Sequence, residues 1–199
     1  RGCGPLVVAR EAWPGDALAE KSVAIPGELT TAALLVRLFA PDLKHAKVMP
    51  FHRILDTVRD GEVDAGVIIH ESRFTYPRYG LKQIVDLGEW WEAETGHPIP
   101  LGGIAIRRAL GDDLIRRVDR ALASSVDYAH RHPQEVWPTV RAHAQEMEDD
   151  VMRQHIALYV NDFTRDYGPE GEAAIRHLLT TAERLGIVSS GEKPLFLSR

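Results

Sequence analysis

At 199 residues, with 44% hydrophobic and 27% charged residues, the chain has the composition of a folded globular protein, which argues against intrinsic disorder. The formal net charge is -5 and lysine and arginine form no basic run, so no nucleic-acid partner is expected. The single cysteine, Cys3, excludes an internal disulfide and a multi-cysteine metal site. No apolar stretch approaches the roughly 20 residues that span a bilayer, so no membrane partner is expected either.

The first half of the chain alternates short apolar runs with amphipathic segments, which predicts an α/β fold. The predicted strands lie at 6–10, 23–25, 47–49, 65–69 and 84–87. The predicted helices follow the second, third and fifth of these strands, at 30–39, through 54–58, and around Trp90 and Trp91. Strands that alternate with helices in this way indicate a mostly parallel sheet with helices on both faces.

Beyond residue 101 the strand signal fades after one more short apolar run, at 104–106, and helices take over. They are predicted from Asp112 or Asp113 and over about 134–145, 149–163 and 170–186. The final apolar run, 194–197, predicts an edge strand or a docked tail.

This organisation predicts one α/β lobe at 20–101. Residues 1–19 and 102–199 would supply the remainder of the other lobe and the C-terminal helices. A cleft would lie between the lobes. Since ligands of open α/β sheets bind beyond the carboxyl ends of the strands, residues that follow strands are the first candidates for chemistry.

His70 directly follows the most apolar strand of the chain. An imidazole mounted there can act as a general base near neutral pH, and it can equally be a structural histidine bonded to its neighbours. Ser72 would lie on the same side if the backbone stays extended, with Glu71 pointing away. Arg73 could reach an anion or form a surface ion pair.

Thr30, Thr31 and Ala32 follow the Pro26-Gly27 turn at the start of a predicted helix. Backbone N–H groups and the helix dipole favour an anion there, such as a substrate carboxylate, and the threonine hydroxyls add donors. Capping by threonine explains the same residues without a ligand. Neither phosphate-binding glycine pattern is present, so neither ATP nor a dinucleotide is indicated, and none of the nine histidines has metalloprotease spacing, so no zinc site is expected.

A longer string is more specific than any of these short patterns. Residues 70–80 read His-Glu-Ser-Arg-Phe-Thr-Tyr-Pro-Arg-Tyr-Gly, with Gly-Glu-Val-Asp-Ala-Gly before them at 61–66 and Asp-Leu-Gly-Glu-Trp-Trp after them at 86–91. This region resembles the 1,4-dihydroxy-6-naphthoate synthases of the futalosine route to menaquinone. The similarity continues through 4–10, 23–27, 30–32, 141–146 and 159–161.

The resemblance implies the two-lobed fold of type II periplasmic binding proteins, used here by a cytoplasmic lyase. The implied reaction splits cyclic dehypoxanthinylfutalosine, a small carboxylate, into 1,4-dihydroxy-6-naphthoate and dihydroxyacetone, with no metal or organic cofactor. His70 maps onto the family's proposed proton acceptor, and Thr31 and Ala32 map onto its substrate contacts. Two other functions stay open: a solute-binding protein for a small carboxylate, and the related chorismate dehydratase.

The chain departs from the family at its start. The family's first strand and a later Lys-Leu-Ser-like substrate segment have no counterpart before residue 10. One lobe is therefore expected to be incomplete, and its sheet to have unpaired edges and exposed apolar surface. This predicts a fragment or mis-started gene product, or else a chain stabilised by self-association, as in a homodimer.

Overall fold

The computed structural model describes residues 2–144, 148–189, 191 and 194–197. The chain divides into two compact units, Arg1–Leu101 and Gly102–Arg199. Within the described residues, none of the helices combines the length and the apolar character that crossing a membrane requires.

The first unit is built on a five-stranded mixed sheet. Its strands, in chain order, are β1 (Leu6–Ala9), β2 (Ser22–Ile25), β3 (His45–Val48), β4 (Ala65–Ile68) and β5 (Lys82–Asp86). In space the order is β3-β2-β4-β1-β5. The β2 strand is parallel to β3 and β4, as the alternating pattern predicts, whereas β1 is antiparallel to both β4 and β5.

Four α-helices complete this unit: α1 (Thr31–Phe39), α2 (Phe51–Arg59), α3 (Ser72–Thr75) and α4 (Leu87–Thr95). Two 3-10 turns, Gly15–Glu20 and Tyr76–Tyr79, lie between elements. The α2 helix packs closely on β4, because Gly66 leaves room there for the side chains of Ile54 and Val58. These residues belong to a core that also contains Leu6, Val8, Ala24, Leu55, Val63, Ile68 and Leu81.

The β1 strand lies within the first unit. All four β1 residues are buried, and the strand lies between β4 and β5 in the middle of the first unit's sheet. An apolar run can be recognised from its composition, but its pairing partners depend on segments more than 50 residues away.

The second unit is helical. Its elements are a 3-10 turn (Arg108–Leu110), α5 (Asp112–Arg131), α6 (Pro133–His143), α7 (Asp149–Tyr159), α8 (Asp162–Arg165) and α9 (Gly168–Arg184). The single helix predicted over 149–163 is in fact two, because Asn161 caps α8 with its side chain. Residue 145, the predicted end of an earlier helix, lies outside the described residues.

The predicted strand at 104–106 is wrong. These residues form neither a strand nor a helix, and Ile104 is 72% exposed. A run of three apolar residues becomes a strand only when a neighbouring strand pairs with it, and the sheet of the described residues does not include this segment. Of the two possibilities for 194–197, the docked tail is observed, with the Phe196 ring 6.1 Å from the ring of Tyr167.

Candidate active site

Several residues singled out from the sequence meet at one edge of the first unit's sheet. Since β2, β3 and β4 are parallel, the residues that follow them leave the sheet on the same side. Thr31 begins α1 after β2, Phe51 begins α2 after β3, and His70 follows β4. The β5 strand, antiparallel to β1, also ends at this edge, where Asp86 begins α4. We call this side the carboxyl edge.

His70 lies in an unusual backbone conformation at the carboxyl edge. Its φ angle is +56°, and among the described residues it is the one non-glycine residue with a positive φ. Its backbone carbonyl accepts a hydrogen bond from the Arg73 N–H at 3.3 Å, which closes the turn into α3. The residue is exposed to solvent, so the imidazole is not enclosed in the hydrophobic core.

The imidazole of His70 is in contact with an aromatic ring. The ring centroids of His70 and Phe51 are 5.2 Å apart, with an interplanar angle of 64°. Such edge-to-face pairs are attractive and restrict the rotation of the rings involved. Phe51 was not a candidate from the sequence, because a phenylalanine at the start of an amphipathic helix has the same pattern as a core residue.

The threonines at the start of α1 are engaged in local hydrogen bonds. The Thr30 hydroxyl accepts from the Ala33 N–H at 3.1 Å and donates to the Gly27 carbonyl at 2.8 Å, so Thr30 is the N-cap. The Thr31 hydroxyl donates to the Leu101 carbonyl at 2.8 Å, and Ala32 is buried. The N–H groups of Thr31 and Ala32, which have no intrahelical acceptor in the first turn, are the donors that this helix can offer to an anion.

Ser72 and Arg73 have surroundings that the sequence could not show. Ser72 was expected on the same side as His70 if the backbone stays extended. The chain instead turns into α3 at Ser72 itself, and the residue is 7% exposed. The guanidinium of Arg73 forms an ion pair with Asp86 and donates to the Gly4 carbonyl at 2.6 Å. Both terminal nitrogens of Arg73 therefore donate hydrogen bonds to other groups of the protein.

Cys3 and Asp64 are two groups of the first unit that have shifted pKa values and are not exposed. Burial raises the pKa of the Cys3 thiol, which keeps it protonated and unreactive, in line with a small apolar filler. Hydrogen bonds from Ser22 lower the pKa of Asp64, on the amino-terminal side of β4.

Across the part of the chain that the structure describes, no group of three His, Cys, Asp or Glu side chains is placed to hold a metal ion.

Known proteins match this sequence over nearly the whole chain. Residues 1–184 match a family model described as menaquinone biosynthesis. The chain is 52% identical over 197 residues to a 1,4-dihydroxy-6-naphthoate synthase of Thermus thermophilus, covering 99% of this chain and 71% of that protein. It is 53% identical over 194 residues to the enzyme of the same name from Streptomyces coelicolor, covering 94% and 68%.

A solved structure shows the same similarity in three dimensions. The crystal structure of a protein from Archaeoglobus fulgidus matches with a TM-score of 0.86 at 37% sequence identity. The match covers 94% of this chain and 70% of that one.

Proposed function

The chain belongs to the menaquinone biosynthesis family, and we propose that it is a carbon–carbon lyase that forms 1,4-dihydroxy-6-naphthoate. Residues 61–91 resemble the 1,4-dihydroxy-6-naphthoate synthases. Both curated relatives have that name, which confirms the resemblance. The proposed substrate is cyclic dehypoxanthinylfutalosine, and dihydroxyacetone is the second product.

His70 is the proposed general base. Its imidazole takes the proton of a sugar hydroxyl, and the O–H electron pair forms a carbonyl as the adjacent carbon–carbon bond breaks. The electrons of the broken bond pass into the ring system, which becomes the aromatic naphthalene as the three-carbon piece departs. The observation that carries this assignment is an exposed imidazole, mounted at the carboxyl edge next to Phe51 in a left-handed turn.

The start of α1 supplies the proposed binding site for the substrate carboxylate. The N–H groups of Thr31 and Ala32 and the positive end of the helix dipole favour an anion at this position. Leu29, in the turn before the helix, is fully exposed and offers an apolar surface to an aromatic ring. We infer from the family resemblance that the protein has a two-lobed, type II periplasmic-binding-protein-like fold and works in the cytoplasm.

The decisive variant is His70→Asn. Asparagine tolerates the left-handed backbone and has no imidazole, so it removes the base without disturbing the turn. We expect kcat for release of the naphthoate to fall by about 100-fold to 10,000-fold, as for loss of a general base, with little change in Tm. Product is followed by its aromatic absorbance.

His52→Asn is the matched control, because His52 is exposed on α2 and its ring also contacts that of Phe51, at 5.8 Å. Its turnover should equal that of the wild type. Undiminished turnover by His70→Asn would exclude His70 as the base. Wild-type protein that binds the nucleoside without releasing naphthoate would instead indicate a solute-binding protein, and turnover of chorismate would indicate the dehydratase.

A further inference from the structure

We propose that Arg73 and Asp86 form a positioning pair that holds the left-handed turn at His70 and so sets the direction of its imidazole. This inference rests on the proposed function, because it assigns the pair a part in the same reaction. Neither residue would touch the substrate. They would act through His70.

Asp86 is buried and Arg73 is largely shielded from solvent, and both side chains are hydrogen-bonded. The Asp86 side chain is 1% exposed and that of Arg73 is 15% exposed. One Arg73 terminal nitrogen bonds Oδ2 of Asp86 and the other bonds the Gly4 carbonyl. The other carboxylate oxygen of Asp86, Oδ1, accepts from the N–H groups of Gly88 at 2.9 Å and Glu89 at 3.1 Å.

These bonds join three separate segments of the first unit. Arg73 lies in α3, Gly4 precedes β1, and Asp86 is the N-cap of α4. The segment before β1 and the start of α4 approach so closely that a Cβ atom on Gly4 would lie 2.2 Å from the Gly88 nitrogen. The guanidinium therefore fastens α3 to the last residue of β5 and to the segment that leads into β1.

His70 lies between this anchor and β4. One residue, Ile69, separates it from the end of the strand at Ile68, and its carbonyl accepts from the N–H of Arg73, three residues later. A positive φ at a residue with a side chain costs free energy and persists only where the surroundings impose it. Because β4 is fixed on one side and Arg73 on the other, the connecting turn has few alternative backbone conformations. The imidazole of His70 is therefore held in one direction.

The first test is a KM-against-kcat comparison of Arg73→Lys and Asp86→Asn. Lysine cannot reproduce the forked donor geometry that reaches both Gly4 and Asp86. Asparagine retains an oxygen that can cap α4 but removes the ion pair. For both we expect kcat to fall by about 10-fold to 100-fold with KM changed by less than about twofold, as for a displaced catalytic group.

Arg59→Lys is the matched control, since Arg59 makes exposed ion pairs with Asp56 at 2.7 Å and Asp60 at 2.8 Å. It should leave both constants unchanged. A rise in KM at constant kcat for Arg73→Lys would overturn the proposal and make Arg73 a substrate ligand. A fall in kcat that only follows the folded fraction, measured by circular dichroism, would overturn it as well.

Two further measurements separate this inference from the proposed function. Adding Arg73→Lys to His70→Asn should cause no further loss of turnover, because the residue being positioned is already absent. Independently of any substrate, the ring signals of His70 in NMR spectra should be single in the wild type and in Arg59→Lys, and broadened or doubled in Arg73→Lys. Unchanged ring signals would refute the positioning role even if the wild type forms no naphthoate.

Discussion

At the scale of single residues, the candidate site depends on the conformation and contacts of one histidine. His70 combines a φ angle of +56° with exposure to solvent and an edge-to-face contact to Phe51. A positive φ is uncommon for residues other than glycine, although asparagine, aspartate and histidine adopt it more often than the rest, and strained backbone concentrates at functional positions. The backbone conformation thus supports the same residue that the sequence selects by its position after an apolar strand.

Phe51 is expected to orient the His70 imidazole as well as to pack against it. Phe51→Leu keeps apolar bulk but removes the aromatic face, so we expect kcat to fall by up to about tenfold, corresponding to the typical free energy of an aromatic pair. Steady-state kinetics with the cyclic nucleoside measures this effect. Phe39→Leu is the control, since the Phe39 ring contacts Trp90 at 5.4 Å in the same geometry. Equal turnover in the two variants would contradict the role of Phe51.

At the scale of secondary-structure elements, the packing of α2 on β4 supports the turn that carries His70. A Cβ atom on Gly66 would lie 2.4 Å from Cγ2 of Ile54 and 2.8 Å from Cγ2 of Val58. Gly66→Ala should therefore push α2 away from the sheet and lower the free energy of unfolding by about 1 to 3 kcal/mol.

Urea unfolding of Gly66→Ala measures that loss, and Gly102→Ala provides the control. A Cβ on Gly102 would meet no atom within 4 Å, so its substitution should be nearly neutral. The explanation would be wrong if the two variants unfolded at the same urea concentration.

The amino-terminal ends of β2 and β4 are joined by a carboxylate. Asp64 Oδ2 accepts from the Ser22 N–H at 2.8 Å and from its hydroxyl at 2.7 Å, and these bonds lower the pKa of Asp64. The pKa of an aspartate in the unfolded chain is near 3.9. A carboxylate whose pKa is lower than this in the folded state stabilises the fold at pH values above the unfolded-state pKa, and this stabilisation is lost as the pH falls through the folded-state pKa.

We therefore expect Ser22→Ala to lower the free energy of unfolding by about 1 to 2 kcal/mol at pH 7, because the hydroxyl both donates to Asp64 Oδ2 and accepts from the Asp64 N–H at 3.0 Å. The difference from the wild type should shrink once Asp64 is protonated in both proteins. Urea unfolding at a series of pH values tests this. A deficit that stays constant down to acid pH would show that the charge of Asp64 is not involved.

At the scale of the whole molecule, the chain consists of an α/β unit followed by a helical unit. The connection after Leu101 has no regular structure up to the 3-10 turn at Arg108, and most of its residues are exposed. Exposed segments without secondary structure are the preferred sites of proteolysis. We expect limited trypsin digestion to cut first after Arg107 or Arg108, which mass spectrometry identifies. First cuts inside α5 would contradict this division.

Much of the first unit could be predicted from the sequence, because the apolar periodicity of a helix or a strand depends only on residues that are neighbours in the sequence. The strands of the first unit and the cap at Thr30 follow from local patterns, whereas the break at Asn161 in the second unit was missed. The predicted strand at 104–106 failed because a strand is defined by its partner.

The sequence by itself determined the α/β character of residues 20–101, the family and the candidate histidine, since these depend on local patterns and on a long characteristic string. Only the tertiary structure decided that β1 lies inside the sheet, that the guanidinium of Arg73 bonds Asp86 and Gly4, and that Phe51 contacts His70. The physical reason is that each of these contacts joins distant segments. Such pairings are selected by the packing of the whole sheet, and no local pattern encodes them.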